Sequence, residues 1–551
     1  MTKLLKDGED FDPTKLESLL VARPLLEMMA LLEEQQSDPD AFSDAELLPA
    51  LLPVVIDLNF KFAGGLDGAK ANVKDLLVQR GATLGPSEAE AIHLRKTKLS
   101  TQYVFATLSP ATIRYLAAYM LNGGCEGGDI KSSSQREVYA IWPDFKLDSH
   151  IHRTVSTVKA GAARTSFRAE GKGIVWAVVD SGISGDHWHF KRHGNLDLSG
   201  FDQSIRHMDF TQDWADLDGL SDEERKKAIA AEQKAALTDE FGHGSHVAGI
   251  IAGEYITDET DGWTGSGATP KKDLAFKNKA FVYYRRRTED DSVAFDQARK
   301  SRLCSISPRT KLVSFKVLDE NGAGEVSNVI AALAQIQAIN EYGRYLRIHG
   351  VNLSVGYPFN PEWFACGQSP LCVEVDRLVK SGVVVVVSAG NSGYGTKQTL
   401  MTRKVRAGML MTINDPGNAR LAITVGSTHS EKPHEFGPSF FSSKGPTGDG
   451  RLKPDLLAPG ERIISCGAGV SAQDKGRPQD RDRLYLDQSG TSMAAPHVSG
   501  AIAAFLSVRR EFIGQPERVK EIFTASATDL GRDRNMQGSG MLDLMRAIQS
   551  V

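Results

Sequence analysis

Five consecutive valines, Val383 to Val387, set the strongest constraint on what this chain can fold into. A run so short and uniformly apolar, with Gly382 before it and Ser388-Ala389-Gly390 after it, suits a strand buried on both faces. Segments 174–179, 312–317 and 350–354 read the same way, and a helical pattern over 328–342 separates the last two. Buried strands joined by helices predict a parallel sheet covered by helices on both sides. In such sheets, binding and reacting groups gather just past the carboxyl ends of the strands.

A chain of 551 residues exceeds what one core holds, so several domains are expected. With 41% hydrophobic and 24% charged residues it has a globular composition rather than that of a disordered chain. The formal charge of −4 points to no polyanion, and nucleic acid is not expected as a partner. No uninterrupted apolar run approaches the roughly 18–20 residues of a spanning helix, so no membrane partner is expected. The opening MTKLLKDGEDFDP lacks the apolar core of a secretory signal, and the five cysteines are few and odd in number. A reducing compartment, the cytoplasm, is the expectation.

Three regions are expected. Residues 1–50 form a helical N-terminal extension, with a helix over 13–36 that Pro24 should kink or divide. Residues 51–150 carry strand-like runs at 53–60, 102–108 and 137–142, with helices at 69–80 and 110–120. That β-α-β-α-β order, with room for one more strand, fits a small α+β ferredoxin-like domain. Residues 151–551 hold the parallel sheet, with insertions near 187–238 and 254–303.

The chemistry sits at three element ends. The strand at 174–179 runs into Asp180-Ser181-Gly182, His243 opens a small-residue helix in Gly242-His243-Gly244-Ser245-His246, and Ser492 opens another in Gly490-Thr491-Ser492-Met493-Ala494. A serine hydroxyl is a poor nucleophile near neutrality. It needs an imidazole to take its proton and a buried carboxylate to orient that imidazole. A helix N-terminus adds backbone N–H groups for a developing oxyanion.

With these motifs the region from about 155 to 551 resembles the subtilisin-like serine proteases, the subtilase family. The chain order Asp180, His243, Ser492 is that family's order, and its histidine and serine signatures stand at 243–249 and 490–497. The resemblance implies an α/β subtilisin-like fold, an Asp180-His243-Ser492 triad and serine endopeptidase activity on protein or peptide substrates. Val387-Ser388-Ala389-Gly390-Asn391-Ser392 resembles the family's oxyanion segment, which implies that role for Asn391. Leu353, Ser354, Val355 and Gly356 resemble the strand lining the first specificity pocket, with Ala389 and Gly390 beside it. Gly322, Ala323 and Gly324 resemble the edge strand that pairs with extended peptide. The 51–150 region resembles the family's propeptide. This implies a domain that holds the protease in check, with any processing bond between Lys146 and His152.

Other readings stand beside these. His243 and His246, with His187, His189 and His193 nearby, have the makings of a zinc site, but no acidic or cysteine ligand completes a known spacing. The first expectation is that His187, His189 and His193 lie on a surface loop and that His246 and His497 are packed structural residues. The second insertion is basic, with Lys271, Lys272, Arg285, Arg286 and Arg287 around Phe281, Tyr283 and Tyr284, and is expected to be a solvated loop. It replaces the loop that binds calcium in many subtilases. Asp209 resembles one ligand of that site, its companions cannot be located, and no cofactor is assigned. The rival function is a regulatory or scaffold protein with a silenced protease fold, meeting a regulatory protein partner through its N-terminal region or the basic insertion.

Overall fold

The computed structural model describes residues 20–37, 50–85, 89–122, 131–144, 146–149, 156–214, 217, 219–256, 280–287, 293–300, 302–360, 362, 365–397, 405–430, 432–472 and 482–551. The chain forms two compact units, residues 1–145 with 213–216, and residues 146–212 with 217–551.

In the first unit, α1 (Arg23–Ser37) precedes β1 (Leu52–Leu58), α2 (Gly65–Gln79), β2 (Ala91–Ile92), β3 (Tyr103–Leu108), α3 (Pro110–Asn122) and β4 (Val138–Pro143). The sheet holds the antiparallel order β2-β3-β1-β4, and the two residues Thr83–Leu84 add a fifth, parallel strand beside β2 at its edge. That is the ferredoxin-like order. The missing strand was β2, whose two residues are too few to show a period. Pro24 does not kink a longer helix among the described residues. It stands in the first turn of α1, where its missing N–H costs nothing. Leu25, Met29 and Leu32 of α1 are buried in the same core as Val54, Ile56 and Ile141. The described part of the N-terminal extension therefore belongs to this unit.

The second unit begins with β5 (Lys146–Ser149), so the boundary falls before Lys146 rather than after residue 150. There follow β6 (Val175–Asp180), β7 (Met208–Asp209), α4 (Asp222–Ala236), α5 (His243–Ile251), β8 (Ala280–Arg287), β9 (Val293–Lys300), β10 (Lys311–Lys316), β11 (Gly324–Glu325), α6 (Val326–Ile339), β12 (Gly350–Leu353), β13 (Val355–Gly356), α7 (Pro370–Lys380), β14 (Val384–Ser388), β15 (Ile423–Thr428), β16 (Leu456–Pro459), β17 (Leu484–Gln488) and α8 (Thr491–Val508). Seven of these strands make one sheet in the order β16-β15-β14-β12-β6-β10-β7, and every pair in it is parallel. The valine run is β14, third strand from one edge and buried at all five positions. By length and composition α8 passes the test for a membrane-spanning helix, yet 89% of it is buried inside this unit. It is a core helix packed on the sheet.

The strand centres are tightly fitted. Gly350 of β12 lies opposite Trp176 of β6, and a Cβ on Gly350 would stand 2.2 Å from the indole. Gly350→Ala is expected to lower stability by about 1–3 kcal/mol through overpacking. An unchanged urea midpoint would show instead that the indole shifts freely.

The insertions differ from expectation in one respect. The helix in the first is α4, started by a capping box between Ser221 and Glu224. The second is not simply a solvated loop. Residues 280–300 contribute the antiparallel pair β8–β9, and β8 joins β17 in parallel with Phe281 opposite Leu484. Val282 is fully buried, so an apolar stretch within the basic segment extends the structure through backbone pairing. Lys271 and Lys272 lie outside the described residues.

Candidate active site

Parallel register brings three strand ends level. Leu353 of β12 pairs with Val179 of β6 on one side and Val387 of β14 on the other. The residues that follow, Ser354, Asp180 and Ser388, therefore emerge along one edge, and Ser388 leads into Ala389-Gly390-Asn391. Asp180 ends its strand 1% exposed.

His243 opens α5 and is fully buried. Gly242 before it has φ +93°, and a Cβ there would lie 2.1 Å from the Ala468 carbonyl oxygen, so that turn requires glycine. His243 Nδ1 lies 2.5 Å from Asp180 Oδ1, which also accepts the Ser181 N–H at 2.8 Å. A carboxylate only accepts, so the imidazole proton sits on Nδ1 and the lone pair on Nε2.

A second buried carboxylate, absent from the sequence reading, supports this pair. Asp239 Oδ1 accepts from Ser181 Oγ at 2.8 Å and Gly242 N at 2.7 Å, and its Oδ2 accepts from Ser245 N at 2.8 Å. Ser181 Oγ in turn accepts from Gly244 N at 2.9 Å. Asp239 thus ties the start of α5 to the residue after Asp180. Burial pushes its pKa up, while the bonds from Ser245, Gly242 and Ser181 pull it down. The one sequence signal was its position four residues before His243.

Ser492 lies in the first turn of α8, fully buried, where backbone N–H groups lack intrahelical partners. It exchanges two bonds with Ser354: Ser492 Oγ donates to Ser354 O at 3.1 Å, and Ser354 Oγ donates to Ser492 O at 2.8 Å. Helix α8 packs against α5, which carries His243.

Asn391 is held through its oxygen. Oδ1 accepts both Thr491 N at 2.9 Å and Thr491 Oγ1 at 3.0 Å, which turns the amide nitrogen the other way. The backbone N of Gly390 donates to the same Thr491 hydroxyl at 3.1 Å. Thr491 therefore links the oxyanion segment to the nucleophile helix, a role hidden in sequence because the two lie far apart in the chain. Gly390 has φ +101°, and a Cβ on it would press on the Asn414 side chain at 2.6 Å.

The predicted substrate segments are present with narrower bounds. Leu353 ends β12, Ser354 follows, and Val355 and Gly356 form β13. Of the segment 321–325 only Gly324–Glu325 is strand. Gly322 and Ala323 belong to a turn around Asp319, whose Oδ1 accepts Asn321 N and Ala323 N at 2.8 and 2.9 Å. Between β11 and β13 lies β5, antiparallel to both, with Leu147 opposite Gly324, Asp148 opposite Gly356 and Ser149 opposite Val355. The direction of β5 carries the chain toward Ser354 and hence toward Ser492.

The remaining histidines are structural. His187 and His189 are not on a surface loop: they are 1% and 2% exposed. His187 Nε2 meets Leu484 O at 2.9 Å, while His189 lies 3.0 Å from Tyr485 Oη and 3.1 Å from Gly249 O. They are buried because β17 covers them, a contact from almost 300 positions away that no local pattern shows. His193 is half-buried and pairs with Glu254 at 3.2 Å. His246 meets Leu486 O at 3.1 Å and His497 meets Met493 O at 2.6 Å. Among the described residues no group of three or more His, Cys, Asp or Glu side chains is arranged to hold a metal. Asp209 is held by its own turn, and no companion ligands are gathered around it among the described residues. Oδ1 accepts Thr211 N and Oγ1 at 2.9 and 2.7 Å, and Oδ2 accepts Gln212 Nε2 at 3.1 Å.

Comparison with known proteins agrees with this fold. The subtilase family profile, Peptidase_S8, matches residues 171–541, more than half of the chain. Serine protease AprX of Bacillus subtilis (strain 168) is 26% identical over 465 residues, covering 82% of each chain. Subtilisin DY of Bacillus licheniformis is 27% identical over 312 residues, 57% of this chain and 79% of that one. The crystal structure of fervidolysin from Fervidobacterium pennivorans, a keratinolytic enzyme related to subtilisin, superposes with a TM-score of 0.53 at 18% identity. That match takes in 92% of this chain but 62% of fervidolysin's length. The chain belongs to the subtilase family. As a subtilase it is a serine-type endopeptidase.

Proposed function

We propose that this chain cleaves peptide bonds in protein substrates with Ser492 as nucleophile, His243 as base and then acid, and Asp180 as the group that orients His243. The 2.5 Å contact between His243 Nδ1 and Asp180 Oδ1, at the sheet edge that also carries Ser354 and Asn391, carries this reading. His243 Nε2 takes the Ser492 proton as Oγ attacks the carbonyl carbon, and Asp180 stabilises the imidazolium that forms. The amide nitrogen of Asn391 and the Ser492 backbone N–H receive the oxyanion. His243 then gives its proton to the leaving amine, and water releases the acyl group by the same steps in reverse order.

Asn391→Ala tests this. Thr491 would remain in place, so substrate binding is expected to hold, with kcat lowered about 10²–10³-fold and KM nearly unchanged. A rise in KM that accounts for the whole loss would remove Asn391 from the transition state. Activity should also fall on acidification, since a protonated His243 cannot accept the serine proton.

The check by the N-terminal region belongs to the same proposal. Residues 146–149 fill the place of an extended substrate between β11 and β13, through backbone pairing that is indifferent to side chains. The bond offered to Ser492 then lies past Ser149, inside the interval from Lys146 to His152. A chain lacking residues 1–149, co-expressed with residues 1–145 to preserve any folding assistance, should hydrolyse a peptide several-fold faster than the uncleaved full chain. Equal rates would mean that the segment is no brake. The uncharged Val355 and Gly356 support substrates without a charge requirement at the residue before the scissile bond. The four described cysteines are free thiols, which supports a reducing compartment such as the cytoplasm.

A further inference from the structure

Lys444 occupies an unusual place beside the oxyanion segment. The stretch 440–444 runs along 390–393: Ser443 N donates to Gly390 O at 2.9 Å, Ser392 N to Ser443 Oγ at 3.0 Å, and Gly393 N to Phe441 O at 2.9 Å. The Lys444 side chain folds back over this contact. Its Nζ donates to three backbone carbonyls, those of Gly393 at 2.8 Å, Phe440 at 2.9 Å and Ser442 at 3.2 Å. The residue is 7% exposed, and burial pulls its pKa down with no acidic neighbour opposing the shift. No carboxylate pairs with it among the described residues; a cation so taken from water is costly, and the three charge-assisted bonds offset that cost only while all three carbonyls converge on it. The fit is close, because a Cβ on Gly393 would stand 1.9 Å from Ser442 O and 2.7 Å from Nζ. Gly393 is two residues beyond Asn391.

We propose that Lys444 is a positioning residue of the oxyanion site, its ammonium pinning the Gly393 carbonyl to the 440–442 turn and so fixing the loop that aims Asn391. This rests on the role given to Asn391 above. Thr491 holds the Asn391 oxygen from the helix side, and Lys444 holds the backbone from the other. Without the ammonium, the Phe440 and Ser442 carbonyls would lose their described donor and the Gly393 carbonyl would keep only the Met409 N–H, at 2.9 Å, and repulsion among the three would open the contact that sets the reach of the Asn391 amide. Displacements of about 1 Å in such a site cost on the order of a hundredfold in rate.

A double-mutant cycle on the full chain tests it, with folding checked by circular dichroism. Lys444→Met should lower kcat by about ten- to a hundredfold while KM stays within about twofold, and Lys444→Arg, which keeps the charge and the donors, should recover most of the loss. In an Asn391→Ala background the same Lys444→Met change should cost less than about threefold, because the group it positions is gone. An equal loss in both backgrounds, or a loss carried by KM, overturns the proposal and leaves the oxyanion reading intact. If Asn391→Ala alone leaves kcat unchanged, the oxyanion reading falls and the proposal with it. Should Lys444→Met fail to fold, Lys444→Gln, which retains amide donors, enters the same cycle with the same criterion.

Discussion

Ser492→Ala is expected to fold normally and to lose peptide hydrolysis almost completely, on the order of 10⁶-fold in kcat, as in a related subtilisin stripped of its serine. The structural cost should be small. The hydroxyl makes one described bond, to Ser354 O, and losing such a partner costs about 1–3 kcal/mol. The reciprocal bond from Ser354 Oγ to the Ser492 carbonyl remains, and α8 stays buried in the core. The chemical cost is total, because neither His243 nor Asn391 can supply a nucleophile. Three measurements on wild type and variant decide it: hydrolysis of a peptide ester, labelling by a fluorophosphonate, and intact mass. Wild type should be labelled at Ser492 and, if it processes itself, should shed a fragment ending between Lys146 and His152. The variant should do neither. Labelling that survives the substitution would place the nucleophile elsewhere.

Acidification should destabilise the second unit through its buried histidines. Burial holds His187 at about 4, His189 at about 3 and His207 at about 4, against an ordinary value of 6.5. Each folded-state pKa is depressed, so as pH falls below 6.5 the unfolded chain takes up protons that the folded chain refuses. Stability is therefore fully present above that value and is lost through the window from about 6.5 down to about 4 for His187 and His207, and down to about 3 for His189. At about 1.4 kcal/mol per unit, His187 and His207 each contribute roughly 3 kcal/mol of this loss. His189 adds to this by less than its own shift implies, because part of that shift is repulsion from His187, and the total is still a large share of a typical domain's stability. Tm followed by circular dichroism should drop steeply between pH 6.5 and 4. His189→Gln, which keeps polar contact with Tyr485 and Gly249, should flatten the slope. A Tm that stays level to pH 4.5 would contradict the burial of these rings. Circular dichroism also separates this loss from the fall in activity caused by protonating His243, which leaves the fold in place.

Much of the site was legible because its chemistry is written in contiguous motifs at element ends. Asp180 after an apolar strand, His243 and Ser492 at helix starts and Asn391 after the valine run each announce themselves locally. Their supports do not. Asp239 is an ordinary acidic residue until Ser181, Gly242 and Ser245 converge on it. Thr491 gains its meaning only when Asn391 arrives from 100 positions away. Nothing around Lys444 in the sequence marks it as buried, and His187 and His189 read as loop residues. Each of these depends on which distant backbone carbonyl or strand comes to rest beside it.

By itself, then, the order of residues determined a parallel sheet, a small split β-α-β unit before it, and the identity of the four groups proposed for the chemistry. Period, caps and short motifs act within a few residues, and that is the range over which a chain can be read directly. Tertiary structure alone decided which polar groups are desolvated, which carbonyls are held and by what, and which part of the chain lies between β11 and β13. Those outcomes depend on register between strands and on burial, and both are set by contacts from tens to hundreds of residues apart.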